Sequence, residues 1–143
     1  VSTYLESFDW KQQVEEFRGM YRGRRDAMIS ALGEFMPMCT WNVPAGGFYV
    51  WVGLPDGLDA KDMLPRAVTN LVAYVSGTAF YSGGSAGHDH VRLSFCYPEP
   101  ADIREGVRRL SEVVAQDLEL VTLFGPSHTR PIEGVSAPAP DQI

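Results

Sequence analysis

Cysteine is scarce in this chain: Cys39 and Cys96 are the two, far apart and in no CxxC spacing. No disulfide framework can be built from them, and two isolated thiols fit a reducing compartment, so a cytoplasmic protein is expected. Lysine is equally scarce, with Lys11 and Lys61 alone. Positive charge is in deficit, 12 Lys and Arg against 18 Asp and Glu, for a formal net charge of −6. Nucleic acid and anionic membrane surfaces need clustered basic residues, so neither is an expected partner. No apolar run approaches membrane-spanning length, and the first residues lack the basic-then-apolar order of a signal peptide. An initial Met is also missing; starting on Val1, the sequence reads as a piece of a longer polypeptide. What is present, 143 residues of which 45% are hydrophobic, suffices for one domain with a real core.

The most strongly specified stretch is Pro44-Ala45-Gly46-Gly47-Phe48-Tyr49-Val50-Trp51-Val52-Gly53-Leu54-Pro55. The Gly46-Gly47 pair suits a sharp entry into extended structure. Phe48 to Val52 is too short for a helix and rich in β-branched and aromatic types, which predicts a strand. Phe48, Val50 and Val52 point one way and Tyr49 and Trp51 the other, so a cover on both faces is expected.

Before it, Val14, Phe17, Tyr21, Met28, Leu32 and Phe35 recur at helical spacing and predict a long amphipathic helix from about Lys11 to Phe35. Arg24 and Arg25 flank its stripe, and Pro37 ends it, leaving Met36 to Asn42 as a connection. Asp59 caps a second helix over about Ala60 to Asn70, in which Pro65 predicts a kink or a late start. Val72-Ala73-Tyr74-Val75 reads as a second strand, and Tyr81 to Asp89 as a mobile Gly/Ser-rich loop. Val91 to Phe95 is the third strand, with Val91, Leu93 and Phe95 on one side and Arg92, Ser94 and Cys96 on the other. A third helix runs from about Ala101 to Gln116 on the stripe Ile103, Val107, Leu110, Val113 and Val114, with Glu99 and Asp102 at its positive end. The domain is therefore bounded at 11–116, with a lead-in over 1–10 and an extension over 117–143 that ends in a Pro-rich flexible tail. The fold class is α+β: a small three-stranded sheet covered by helices.

Arg92 is the residue with chemistry to offer. A guanidinium fixed on a strand is a planar, permanent cation that matches a carboxylate through two parallel hydrogen bonds; the alternative is an ordinary arginine on a wet sheet face. His88-Asp89-His90 holds donors of metal-ligand type, but no further ligands stand at a recognisable spacing, so no metal is expected. Gly83-Gly84-Ser85-Ala86-Gly87 lacks the context and lysine of a phosphate loop. Arg104, Arg108 and Arg109 sit among Glu105 and Glu112 and read as i,i+4 pairs on a solvated helix face.

Taken in order, PAGGFYVWVGLP, VAYVSGTAFY, VRLSF and EPADIREGVRRLSEVV, with YRGRRDAMISAL upstream, resemble the C-terminal small domain of class I/II (fold type I) pyridoxal-phosphate-dependent aminotransferases. The nearest subgroup is the aminoadipate-transaminase and MocR-like branch, and the likeness spans roughly Val14 to Val114. In that family the arginine of the RL-S-F strand binds the substrate's α-carboxylate, and it matches Arg92. The sequence departs from the family pattern at Leu71, where Gly is usual before the second strand, and at Ser76, where Pro is usual before the turn glycine.

The resemblance implies pyridoxal 5'-phosphate as cofactor, amino acid and 2-oxo acid substrates, and a homodimer for the full-length protein. The chemistry needs a lysine to carry the cofactor and an acidic partner for its ring nitrogen. Neither Lys11 nor Lys61 stands in the family's lysine motif, so the cofactor is expected to be held by a large domain preceding Val1, and this chain is not expected to catalyse alone. The same resemblance extends to MocR-type transcription regulators, in which an aminotransferase-like part senses an effector.

Overall fold

The computed structural model describes residues 2–125. A short helix α1 (Ser2–Ser7) leads into α2 (Trp10–Phe35), whose start is fixed by the Asp9 carboxylate accepting from the Gln12 N–H at 3.1 Å. Gly19, Gly23 and Gly33 do not interrupt α2. Only its second half reaches the core, through Met28, Ala31 and Leu32, while Trp10, Val14, Phe17 and Met20 stay exposed.

Four strands, β1 (Thr40–Trp41), β2 (Tyr49–Gly53), β3 (Val75–Ser76) and β4 (His90–Ser94), form one sheet in the order β1-β2-β4-β3, antiparallel throughout. The central register pairs Val50 with Leu93, Trp51 with Arg92 and Val52 with Val91. Val50, Val52, Val91 and Leu93 are buried in a single core with residues of α2, α3 (Ala60–Thr69) and α4 (Pro100–Phe124). Tyr49 and Trp51 are on the other face. Among the described residues Phe80, from a 3-10 turn, meets Trp51 there at 5.3 Å, and Tyr49 remains exposed. The expected double-sided cover is thus complete on one side and partial on the other.

Several boundaries differ from the sequence expectation. The sheet has a fourth strand, because Thr40 and Trp41, read as connection, pair with Gly53 and Val52. Phe48 precedes β2 and is exposed; it packs edge-on against Tyr21 at 4.8 Å instead of joining the buried face. The second strand begins only at Val75, because the chain before it is used to close α3. There the Leu71 N–H reaches the Val68 carbonyl and the Val72 N–H reaches the Ala67 carbonyl, both at 3.0 Å. That pair of bonds is a Schellman stop, and Leu71 takes its left-handed position with φ 59°.

Helix α3 starts on time, its N-cap Asp59 accepting from Lys61 and Asp62 N–H groups at 2.7 and 3.3 Å, and carries Pro65 inside. One backbone donor is lost there, the one that would reach the Lys61 carbonyl. Helix α4 passes Gln116 and continues to Phe124, and Asp117 is buried within it. The Pro-rich tail expected beyond it lies, from residue 126 on, outside the described residues. Among the described residues no helix is long and apolar enough to cross a membrane.

Candidate functional site: an arginine on the open sheet face

Strand alternation sends Val91, Leu93 and Phe95 into the core and leaves Arg92 on the opposite side, beside the cross-strand neighbour Trp51. The guanidinium carbon lies 4.1 Å from the Tyr49 ring centre and 4.8 Å from that of Phe80. Tyr49 comes from β2. Phe80 comes from a 3-10 turn, Gly77–Phe80, whose start is capped by the Ser76 hydroxyl accepting from the Thr78 N–H at 3.4 Å. Trp51 meets Phe80 edge-on at 5.3 Å and stacks on His90 at 5.5 Å.

The turn is held in place by a backbone crossing. A Cβ on Gly77 would stand 2.4 Å from the Gly87 carbonyl oxygen, so the two strands of the loop touch where both residues lack side chains. The His90 N–H closes the neck by donating to the Gly87 carbonyl at 3.2 Å. Between them, Gly83, Gly84 and Gly87 take positive φ of 73°, 64° and 77°, conformations that favour glycine.

Most arginines of this chain are committed. Arg18, Arg24, Arg25, Arg66, Arg104, Arg108 and Arg109 each pair with a carboxylate. Arg92 makes no ion pair and no hydrogen bond among the described residues, so its five N–H donors are unspent while its charge rests against aromatic rings.

The other sequence candidates resolve into structural partners. Arg108 and Arg109 pair with Glu105, and Arg108 also with Glu112, as the helical spacing predicts. These guanidinium groups hold the Glu105 carboxyl at about 2. Arg104 instead crosses to Glu34 of α2. His90 Nδ1 sits 2.7 Å from its neighbour Asp89, and His88 Nδ1 2.7 Å from Asp59. Among the described residues no group of three or more His, Cys, Asp or Glu could hold a metal ion. Arg24 is nearly buried, donating to the Cys96 carbonyl at 2.8 Å and to Glu99 at 2.6 Å. A cleft of about 530 Å³ runs between the first half of α2 and Gly46–Phe48, lined by Val14, Phe17, Tyr21, Arg22 and Phe48 among others. Arg92 stands outside it.

That Tyr49 lies off the core face of its strand, as Arg92 lies off its own, was legible in the alternation; that the two strands pair was not. Nor was the placement of Phe80, because nothing local in Gly77–Phe80 says which way a 3-10 turn will carry its last side chain.

No protein-family model matches the chain. Individual proteins do. Aromatic-amino-acid aminotransferase 1 of Thermococcus litoralis is 40% identical over 117 residues, 81% of this chain and 28% of that protein. The solved α-aminoadipate aminotransferase of Thermus thermophilus, in complex with N-(5'-phosphopyridoxyl)-L-leucine, superposes with a TM-score of 0.76 at 36% identity, over 82% of this chain and 30% of that one. This chain is a relative of the fold type I aminotransferases. It spans little more than a quarter of the length of the aminotransferases it matches. A helix-turn-helix-type transcriptional regulator of Bacillus subtilis, YdfD, also matches, at 25% identity over 81% of this chain and 24% of that protein. The α+β architecture agrees with these aminotransferase neighbours.

Their cofactor group poses a direct question of fit. The elements around Arg92 are β2, β4 and the 3-10 turn after β3, and none of them carries a lysine. Lys11 belongs to α2 and lies over the Trp10 ring at 5.7 Å, and Lys61 is exposed in the first turn of α3. The residues around Arg92 therefore do not fit a cofactor-carrying role; the free N–H edge of a guanidinium is able to meet a carboxylate.

Proposed function

We propose that this chain is the small domain of a pyridoxal-phosphate-dependent aminotransferase, which moves an amino group between an amino acid and a 2-oxo acid, and that Arg92 receives the substrate's α-carboxylate. The observation that carries the reading is the unspent guanidinium of Arg92, mounted on a paired strand and facing away from the core. Every amino acid and 2-oxo acid has an α-carboxylate, and a two-point clamp on it fixes the orientation of the reacting carbon. Bound pyridoxal phosphate would supply the electron sink for that chemistry. In this reading its lysine belongs to a large domain outside this chain, and this chain does not catalyse alone.

The uncovered surfaces support a larger assembly. Tyr49 and Phe80 are exposed on the open sheet face, and Trp10, Val14, Phe17 and Met20 are exposed along the first half of α2. Such surfaces suit the large domain and a second subunit of a homodimer. Two unpaired cysteines, one of them buried, keep the cytoplasm as the proposed compartment.

Replacing Arg92 by Ala in the complete polypeptide tests the reading. Loss of a charged, two-point partner is expected to cost about 2–5 kcal/mol in kcat/KM for amino acid donors. An unchanged kcat/KM overturns the clamp. The match to YdfD supports a second reading, an effector-sensing domain of a MocR-type regulator, with the same arginine holding an effector's carboxylate. A basic helix-turn-helix segment elsewhere in the polypeptide, and ligand binding without turnover, would select it.

A further inference from the structure

Among the described residues, Arg92 differs from the seven carboxylate-paired arginines in being held by rings alone. A carboxylate partner fixes a guanidinium by occupying its N–H edge, and so spends the donors that a ligand would need. Rings approach the face of the ion instead, attracting the charge and leaving the edge donors free. The Tyr49 and Phe80 ring centres, at 4.1 and 4.8 Å from the guanidinium carbon, are within cation–π range. We propose that Tyr49 and Phe80 are positioning residues for Arg92, holding its guanidinium by cation–π contact so that its N–H edge is presented to a carboxylate.

Three further features on the same face favour this role over incidental contact. Tyr49 and Phe80 are each about half exposed, 44% and 47%, so burial alone does not explain two large rings there. Phe80 also meets Trp51 at 5.3 Å with the rings near perpendicular, and Trp51 is itself stacked on His90. The turn that delivers Phe80 depends on the Gly77–Gly87 crossing, so its position is set by backbone contact and not by the side chain's own preference. A charge held in this way loses less freedom when its ligand arrives, which is how pre-orientation raises affinity.

The inference rests on the reading of Arg92 as a carboxylate clamp, and the test separates the two. In the complete polypeptide loaded with pyridoxal phosphate, KM and kcat are measured for the common amino acids as donors with 2-oxoglutarate as acceptor. The variants are Arg92→Ala, Tyr49→Leu, Phe80→Leu and the ring-keeping Tyr49→Phe and Phe80→Tyr. In parallel, proton and nitrogen NMR of the Arg92 side chain reads ring-current shifts and the mobility of the Nε–H group in the full chain. Each Leu variant is expected to raise KM about fivefold with kcat little changed, and to reduce the upfield shift of the Arg92 side-chain protons by the share of the ring it removes. Tyr49→Phe and Phe80→Tyr are expected to restore both. If Arg92→Ala raises KM strongly while the Leu variants match the unaltered protein, the positioning role is overturned and the clamp stands. If Arg92→Ala leaves KM unchanged, the clamp reading falls and the positioning role falls with it.

Discussion

Arg66 of α3 and Asp117 of α4 face each other with 2.5 Å between guanidinium nitrogen and carboxylate oxygen, the arginine side chain 45% exposed and the aspartate only 5%. The pair ties the seventh residue of α3 to the second half of α4, and the other oxygen of Asp117 is buried with no partner. Arg66→Ala would leave a buried carboxylate unpaired. Because the guanidinium is partly solvated, the expected loss is about 2 kcal/mol, below the range for a fully buried pair. Arg66→Ala with Asp117→Leu is expected to recover most of it, since the unpaired charge is gone. Denaturant unfolding of the single and double variants checks this; a double variant no more stable than Arg66→Ala counts against it.

Leu71 occupies the left-handed stop position after α3 with φ 59° and with 79% of its surface exposed. A β-carbon in that region costs roughly 1–2 kcal/mol, while Gly gives back part of that through the freer unfolded chain. Leu71→Gly is therefore expected to stabilise the fold by about 0.5–1 kcal/mol. The side chain gives up little contact on leaving. A lower thermal midpoint for Leu71→Gly would show that its φ is not the dominant cost.

Those same positions show how far local sequence carries. The stripe of α2, the Asp59 cap and the in–out alternation of β4 are short-range patterns, and each is visible without tertiary knowledge. The departure at Leu71 was visible too, as a leucine where Gly is usual, but its meaning needed the two Schellman bonds. Ser76 is similar: its φ of −60° is one that proline would enforce, and its hydroxyl caps the next turn instead. Asp117 looked like the first residue of an extension because a buried carboxylate breaks the apolar stripe, and only its partner fifty-one positions earlier explains it. Strand β1 and the placement of Phe80 depend on long-range pairing and on the Gly77–Gly87 crossing, which no periodicity encodes.

Burial pushes the Asp59 carboxyl up, but the N–H groups of Lys61 and Asp62 and the His88 imidazole outweigh it, and the carboxyl is held below its ordinary value. A carboxyl lowered in the folded state binds its proton less readily than in the unfolded chain. Its contribution is therefore complete above the ordinary Asp value of about 4 and is lost as pH falls through the folded value. Asp59→Asn keeps a cap acceptor and removes the titration. The stability gap between the unaltered protein and Asp59→Asn is expected to be about 1 kcal/mol near neutrality and to shrink in acid below about pH 4. Unfolding curves at both pH values decide it, and a gap that holds or widens in acid would show that Asp59 is not the titrating group.

Gly77 has no positive φ to excuse it, yet it has no room for a side chain. An added Cβ would meet the Gly87 oxygen at 2.4 Å and His90 atoms at 3.0 Å, two of the three contacts being backbone. Backbone cannot swing aside as the end of a lysine can, so Gly77→Ala must spread the neck of the loop. Spreading it strains the His90–Gly87 hydrogen bond and carries Phe80 away from Arg92. The expected cost is about 1–3 kcal/mol, the range for forcing a methyl group into a filled space. Gly46→Ala is the control, since a Cβ there meets nothing within 4 Å. Faster exchange of the His90 amide in Gly77→Ala, with Gly46→Ala unchanged, is the expected pattern. Equal exchange in the two variants would mean that the crossing is looser than its geometry implies, and that Phe80 is held by Trp51 alone.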